Sequence, residues 1–234
     1  MLSAIAIVPS APVMIPELAA AAATETAGLR AAALSAVAVL PPRWIGVGVA
    51  ETDSVDGPDS VGTFAGYGAD VVVGLSGRFA EDRAAGRPLA RLPLCTLVTG
   101  WLRGIAQPGA AAEVRAYRDD HGPAATLAFG RQLRAEIDAA EEAVGVLIVA
   151  DGANTLSPPA PGGYDPDSLG RQAALDDALA AGDRAAVTRL AEDSVGRVAY
   201  QVLGGLTETA PPSATELYRG APYGVGYFVG VWRP

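Results

Sequence analysis

Polar groups able to do chemistry gather in three short segments, each directly after an apolar run. Ser10 lies between Pro9 and Pro12. Glu51, Thr52 and Asp53 follow Trp44 to Val49. Asp151 and Asn154, with Tyr164 further on, follow Val144 to Val149. Carboxylate, hydroxyl and amide oxygens together can hold a hard cation such as Mg²⁺, Mn²⁺ or Ca²⁺. The plainer alternative is that the acids are solvated and that Asp, Asn and Ser serve turns and helix caps. Glu51 and Asp53, taken singly, read that way. Asp151 and Asn154 stand apart: they directly follow the most apolar run of the chain, and Asn154 is its only asparagine. Even there, Asp151-Gly152 is a turn signal in its own right.

The counts of histidine and cysteine restrict the chemistry further. One histidine, His121, follows two aspartates and precedes Gly122-Pro123, which reads as a solvated loop position. A site of two histidines and a carboxylate, the open arrangement that suits ferrous oxygen chemistry, cannot be built from one imidazole. No G-x-S-x-G nucleophile elbow is present, so no Ser-His-Asp triad is indicated. The single Cys95, flanked by Leu94, Thr96 and Leu97, reads as a buried inert thiol and excludes an internal disulfide or a cysteine-cluster zinc site. Gly46-Val47-Gly48 and Gly224-Val225-Gly226 lack the rest of a dinucleotide fingerprint and read as closely packed strand backbone.

The elements that must position these groups follow from periodicity and punctuation. Leu2 to Val8, Trp44 to Val49 and Val144 to Val149 are short apolar, β-branched runs, hence strands buried on both faces. Asp70 to Val73 and Val114 to Tyr117 predict further strands, and the alternating tail Tyr223 to Val231 a closing one. Helices are expected from Pro16 to about Leu40, from about Ala124 to Glu142, from Asp167 to Ala181 and from Arg184 to Leu206. Periodicity leaves Leu92 to Ile105 open between strand and helix. Strands alternating with helices predict a single three-layer α/β/α domain over residues 1–234, around a central mixed, largely parallel sheet. In such a sheet the loops past the carboxyl ends of the strands carry the reactive groups. This would gather Ser10, Glu51, Asp53, Asp151, Asn154 and Tyr164 at one edge.

A chain of 234 residues with net charge −9 and no lysine lacks the basic field that nucleic acid or an anionic membrane requires. No apolar stretch approaches the roughly 20 residues of a membrane span. No basic segment precedes the apolar opening, so a signal peptide is not expected. The expectation is a cytoplasmic protein with a small-molecule ligand, and with a homodimer formed through the apolar edge of its tail.

Three segments, in order and spanning nearly the whole chain, carry a resemblance. They are Ile7-Val8-Pro9-Ser10-Ala11-Pro12-Val13-Met14-Ile15-Pro16-Glu17, Asp151 through Asn154 to Pro166, and Ala221-Pro222-Tyr223-Gly224-Val225-Gly226-Tyr227. Together they resemble the class III extradiol ring-cleavage dioxygenase superfamily, which includes the catalytic subunit of protocatechuate dioxygenase and the Memo-like proteins. The resemblance implies one α/β domain, Fe(II) held by two histidines and a glutamate, a catecholic substrate, and a further histidine as acid/base. The departures fall on those positions. Ser10 stands where the first histidine ligand is expected, the second should lie near Ala50 or Glu51, and Asn154 takes the place of the acid/base histidine. Glu208 and Glu216 match the glutamate ligand by order only.

A serine hydroxyl is a poor neutral ligand for Fe(II), and asparagine exchanges no proton near neutral pH. The expectation is therefore a dioxygenase-like domain without the dioxygenase reaction. It would be a pseudoenzyme, or a domain binding a small molecule or a protein, with Ser10, Asp151 and Asn154 at its centre and no cofactor. Two alternatives stand beside it. One is metal-assisted hydrolysis through an all-oxygen site of Glu51, Asp53 and Asp151. The other is an active dioxygenase whose missing ligands come from a partner chain.

Overall fold

The computed structural model describes residues 1–78, 88–208 and 213–233, the side chains of 190 and 193 excepted. Seven strands form the main sheet, in the order β3-β6-β2-β7-β1-β9-β8. They are β1 (Leu2–Val8), β2 (Arg43–Ala50), β3 (Ser54–Asp56), β6 (Ala111–Arg118), β7 (Val144–Val149), β8 (Ser213–Gly220) and β9 (Tyr227–Arg233). The inner block β6-β2-β7-β1 is parallel, and antiparallel pairs close it at β3 on one side and at β9 and β8 on the other. A short hairpin of β4 (Val61–Thr63) and β5 (Val72–Gly74) stands outside the sheet. The main sheet is thus mixed and largely parallel, as the alternation of strand and helix signals predicts.

The helices are α1 (Pro16–Ala19), α2 (Ala27–Val37), α3 (Leu94–Ala106), α4 (Pro123–Asp138), α5 (Asp167–Ala181), α6 (Arg184–Leu190) and α7 (Arg197–Leu206). The period-two alternation of β7 explains the layering. Leu147 and Val149 join Leu29, Ala33 and Val37 of α2 and Val98 and Leu102 of α3 in one core. Val146 and Ile148 join Leu133 and Ile137 of α4, Leu175 and Leu179 of α5 and Leu203 of α7 in the other. Gly46 and Gly48 of β2 are what their spacing suggested: a Cβ on Gly48 would run into Cys95 of α3, and one on Gly46 into Val114. Cys95 is fully buried, and desolvation pushes its thiol up to about 12, so it is inert.

Several elements depart from the sequence expectation. The helix expected over residues 16–40 is broken into α1, a 3-10 turn at Ala20–Ala23 and α2, with Ala20 at φ 46° between the first two. The alanine run has helix propensity, but α1 offers the core only Ala19 and a partly buried Leu18, too narrow an apolar face to fix a long helix. The stretch from Leu92 resolves as helix α3. The helix expected over Arg184–Leu206 is two helices, because the chain turns at Gly196 to pass closely beneath Ala150 and Asp151. The tail strand β9 lies inside the sheet, paired with both β1 and β8. It therefore has no open edge for a second copy, and the outer edge is β8, whose pairing is interrupted by a bulge between Glu216 and Tyr218. Among the described residues no helix is long and apolar enough to cross a membrane.

Helices α4 and α7 approach through glycine on both sides. A Cβ on Gly130 would overlap the backbone of Val202, Gly205 and Leu206, and one on Gly205 the backbone of Leu127. Nothing flexible lies there to yield. Gly130→Ala is therefore expected to cost about 1–3 kcal/mol, the usual range for overpacking. Gly28→Ala, at an exposed position of α2 with open space around it, should gain up to about 1 kcal/mol. Urea unfolding midpoints of the two variants check both signs.

Candidate functional site

The parallel block sends the ends of β1, β2, β6 and β7 to the same edge of the sheet. At the junction of β1 and β7, the backbone N–H of Ser10 donates to Oδ1 of Asp151 at 2.8 Å. Asp151 is the first polar side chain after the wholly buried strand β7, and its own peptide is braced from several sides. Ala150 N–H donates to Val8 O at 2.9 Å, Gly196 N–H to Asp151 O at 2.8 Å, and the buried Tyr200 hydroxyl to Ala150 O at 3.1 Å. Beyond it, Gly152 and Ala153 exchange hydrogen bonds with Gly226. Gln172 of α5 accepts from Ala153 N–H and donates to Asp176, each at 2.8 Å. Gly152 and Gly226 both lie against that glutamine amide, where a Cβ would not fit.

The electrostatics of Asp151 follow from this position. Its residue surface is partly accessible, yet the protein around the carboxyl strips it of water and pushes its pKa to about 7, against the opposing pull of the Ser10 N–H. The charge it would carry helps to raise Tyr200 and Tyr227, on top of their own burial. Asp176 behaves likewise, raised to about 6 mainly by burial, with the Gln172 hydrogen bond opposing.

The other residues singled out from the sequence divide. Ser10 joins Asp151, but through its main-chain N–H. Asn154 lies partly exposed in the neighbouring loop. Its side chain packs on Gly162, whose N–H donates to Asn154 O at 2.9 Å, so this residue pins its own loop. Asp53 is drawn away towards β6. It accepts from Arg118 N–H at 2.7 Å and meets His121 Nε2 at 2.8 and 2.9 Å, and these contacts lower its pKa, the Arg118 bond most strongly. His121 is thus not the solvated loop histidine the sequence suggested. It is ion-paired when protonated, edge-on to Phe129 at 5.1 Å, and its carbonyl accepts from Arg197. Tyr164 is 51% exposed and lines none of the hollows described below. Glu208 and Glu216 are engaged by Arg131 and Arg219.

Glu51 is exposed and lines a polar hollow of about 360 Å³ with Thr52, Ser54, Asp56, Tyr67 and Arg91. A second, mainly apolar hollow of about 430 Å³ adjoins it at Tyr67 and is walled by Pro12, Val13, Leu18, Tyr223 and Tyr227. Among the described residues no group of three or more His, Cys, Asp or Glu side chains is placed to hold a metal. Glu51, Asp53 and Asp151 are therefore not assembled as the all-oxygen ligand set. The residues at the positions implied for Fe(II) do not fit that ion: Ser10 offers its N–H to Asp151, and the one imidazole is held at β6 by Asp53. Sequence reasoning passed over Tyr67 and Gln172. Tyr223 and Tyr227 were visible as the aromatic members of the alternating tail but were read only as strand residues.

A larger cavity, about 680 Å³, lies at the opposite edge, where Pro41, Trp44, Ile137 and Val144 wall it beside the Arg115–Glu136 ion pair. Its charged groups are paired with one another, whereas the tyrosine-walled hollow past the strand ends contains Tyr227, on which the carboxyl of Asp151 acts electrostatically although Asp151 lines neither hollow. That combination places the candidate site at the latter edge.

No protein-family model matches the chain, and no curated protein matches it. Among solved structures, the uncharacterized protein JW3007 from Escherichia coli K12 is similar in fold. The TM-score is 0.54 at 11% identity, over 99% of this chain and 100% of that one.

Asp151 is expected to make stability pH-dependent in a particular direction. Its folded pKa, about 7, lies above the ordinary carboxyl value. The folded state therefore binds the proton more tightly than the unfolded chain, and this stabilisation is complete below about pH 4 and lost as pH rises through 7. Asp151→Asn keeps an oxygen for the Ser10 N–H and removes the charge. Its advantage over the parent should be near zero at pH 4 and reach about 2–4 kcal/mol above pH 7. Denaturant titrations of both proteins from pH 4 to 8.5 read the difference, from which the similar but shared contribution of Asp176 cancels.

Proposed function

We propose that the chain is a class III extradiol dioxygenase-like protein that has given up ring cleavage and binds a small molecule in the hollow past the ends of β1 and β7. The observation that carries this reading is the placement of the only imidazole. His121 is held by Asp53 at the end of β6, while the corner where β1 meets β7 contains a serine N–H and a desolvated carboxyl group. A site with that donor set can hydrogen-bond a ligand and exchange a proton with it near neutral pH through Asp151. It offers Fe(II) none of the nitrogen ligands that suit it. The adjoining hollow of about 430 Å³ is of small-ligand size and mostly apolar, with Tyr67, Tyr223 and Tyr227 in its wall. The fold shared with JW3007 is compatible with this scaffold and carries no activity with it.

The test has two arms. Protein purified without chelator and then reconstituted with Fe(II) should consume no oxygen with catechol or protocatechuate. Near-stoichiometric iron together with ring cleavage would overturn the reading. In the second arm, a thermal-shift screen of small metabolites should give stabilising compounds whose effect disappears in Ala22→Trp, which places a ring in the hollow. Compounds that stabilise parent and variant alike bind elsewhere and count against it.

A further inference from the structure

Resting on that reading, we infer that the ligand of the tyrosine-walled hollow is a small alkylammonium cation, held against the faces of Tyr67, Tyr223 and Tyr227. Three aromatic rings share this one hollow of about 430 Å³, and among the described residues no arginine or histidine lines it. Phenol rings present a negative face, and a cation whose charge is spread over alkyl groups gains from that face while losing little hydration. An apolar wall with several aromatic rings and no competing cation is the arrangement such an ion requires.

The groups around the rings strengthen the preference. The Tyr223 hydroxyl donates to Glu25 at 2.6 Å, which places a carboxylate at one rim and pushes electron density into the ring. Tyr67 is braced edge-on by the fully buried Phe64, with centroids 6.1 Å apart, and feels the negative charge of Glu51, opposed by the positive charge of Arg91 in the adjoining polar hollow. Tyr227, which lines the hollow, is only 6% exposed, and its hydroxyl has no hydrogen-bond partner among the described residues. Asp151 stands close enough to act on it electrostatically, and no cationic side chain contributes to the proton affinity of that carboxyl. The hollow therefore combines an unpaired phenol with two carboxyl groups beside its aromatic wall, Glu25 at Tyr223 and Asp151 acting on Tyr227. A neutral hydrocarbon would satisfy its walls and leave the carboxylates uncompensated, and an anion would meet no partner in it.

Calorimetric titration of the full chain at pH 8 with choline and tetramethylammonium, against the neutral carbon isostere 3,3-dimethylbutan-1-ol, tests this. Both cations are expected to bind at least tenfold more tightly than the alcohol. Tyr223→Leu and Tyr67→Leu, at partly exposed rim positions, should each weaken choline at least threefold, and Asp151→Asn should weaken it while leaving the alcohol unchanged. Equal affinity for cation and alcohol would overturn the cation assignment while leaving a ligand hollow in place. No binding of the cations, with other compounds still stabilising the parent but not Ala22→Trp, would overturn it in the same way. Silence in both experiments would remove the proposed function as well.

Discussion

The arrangement depends on one constraint: strand β7 is buried along its whole length and ends on a carboxyl group. Six consecutive apolar residues satisfy both cores of the sheet, and the chain then delivers Asp151 into surroundings too dry to solvate its charge. The compensation within hydrogen-bonding reach is the Ser10 N–H from the end of β1. That bond also joins the loops of the two neighbouring parallel strands, so the shape of the edge and the protonation of the carboxyl are set together. The hydrogen bonds from Gly196 and to Val8, the Gln172 amide packed on Gly152 and Gly226, and the buried Tyr200 beneath Ala150 all hold the same few peptides. Their combined effect is to keep the carboxyl where it is although the location is unfavourable for its charge.

Such unfavourable placement is seldom kept by a packing requirement alone. An asparagine at position 151 could accept the same N–H without a charge to desolvate, and would be the more stable choice above neutral pH. Asp176 shows a milder form of the same cost. It is buried, yet it receives the Gln172 amide and lies near Arg219, so its charge is partly answered. Asp151 has a single main-chain donor. The contrast between the two acids, one built into a hydrogen-bond chain and one left almost alone, is what distinguishes a positioning group from a candidate binding group.

The sheet was legible in the sequence because its signals are local. Apolar β-branched runs bounded by proline and glycine mark β1, β2 and β7, and the glycines of β2 announce the close approach of α3. Helix boundaries were less legible where tertiary contacts decide them. The alanine run after Pro16 does not continue as one helix because its first turns have little to bury, and the break before α7 exists to pass Gly196 under Asp151. At the site, Asp151 and Ser10 could be found from their places after two strands. That Asp53 and His121 would satisfy each other instead of facing the hollow could not, because 68 residues separate them and their meeting depends on β2 lying beside β6. Tyr67 was equally hidden, since it reaches the site from a 3-10 turn outside the main sheet.

A carboxyl group at the end of such a sheet with no imidazole beside it faces a particular electrostatic problem, since His121 is held by Asp53 at the end of β6. A carboxylate beside a cation is stabilised in its charged form, whereas one beside a serine N–H must protonate, take on a cation, or bear the desolvation cost. The pKa of about 7 shows that protonation and charge are nearly balanced at neutral pH. The local balance is therefore poised to respond to whatever enters the hollow. A ligand carrying positive charge would draw the proton off Asp151, and one presenting a hydrogen-bond acceptor would keep it on. The aromatic wall, with carboxylates behind Tyr223 and Tyr227 and no basic side chain among the described residues that line it, tilts that choice towards the charged form. On this argument, the binding preference of this end of the sheet is set by the weakly compensated carboxyl group at the end of β7.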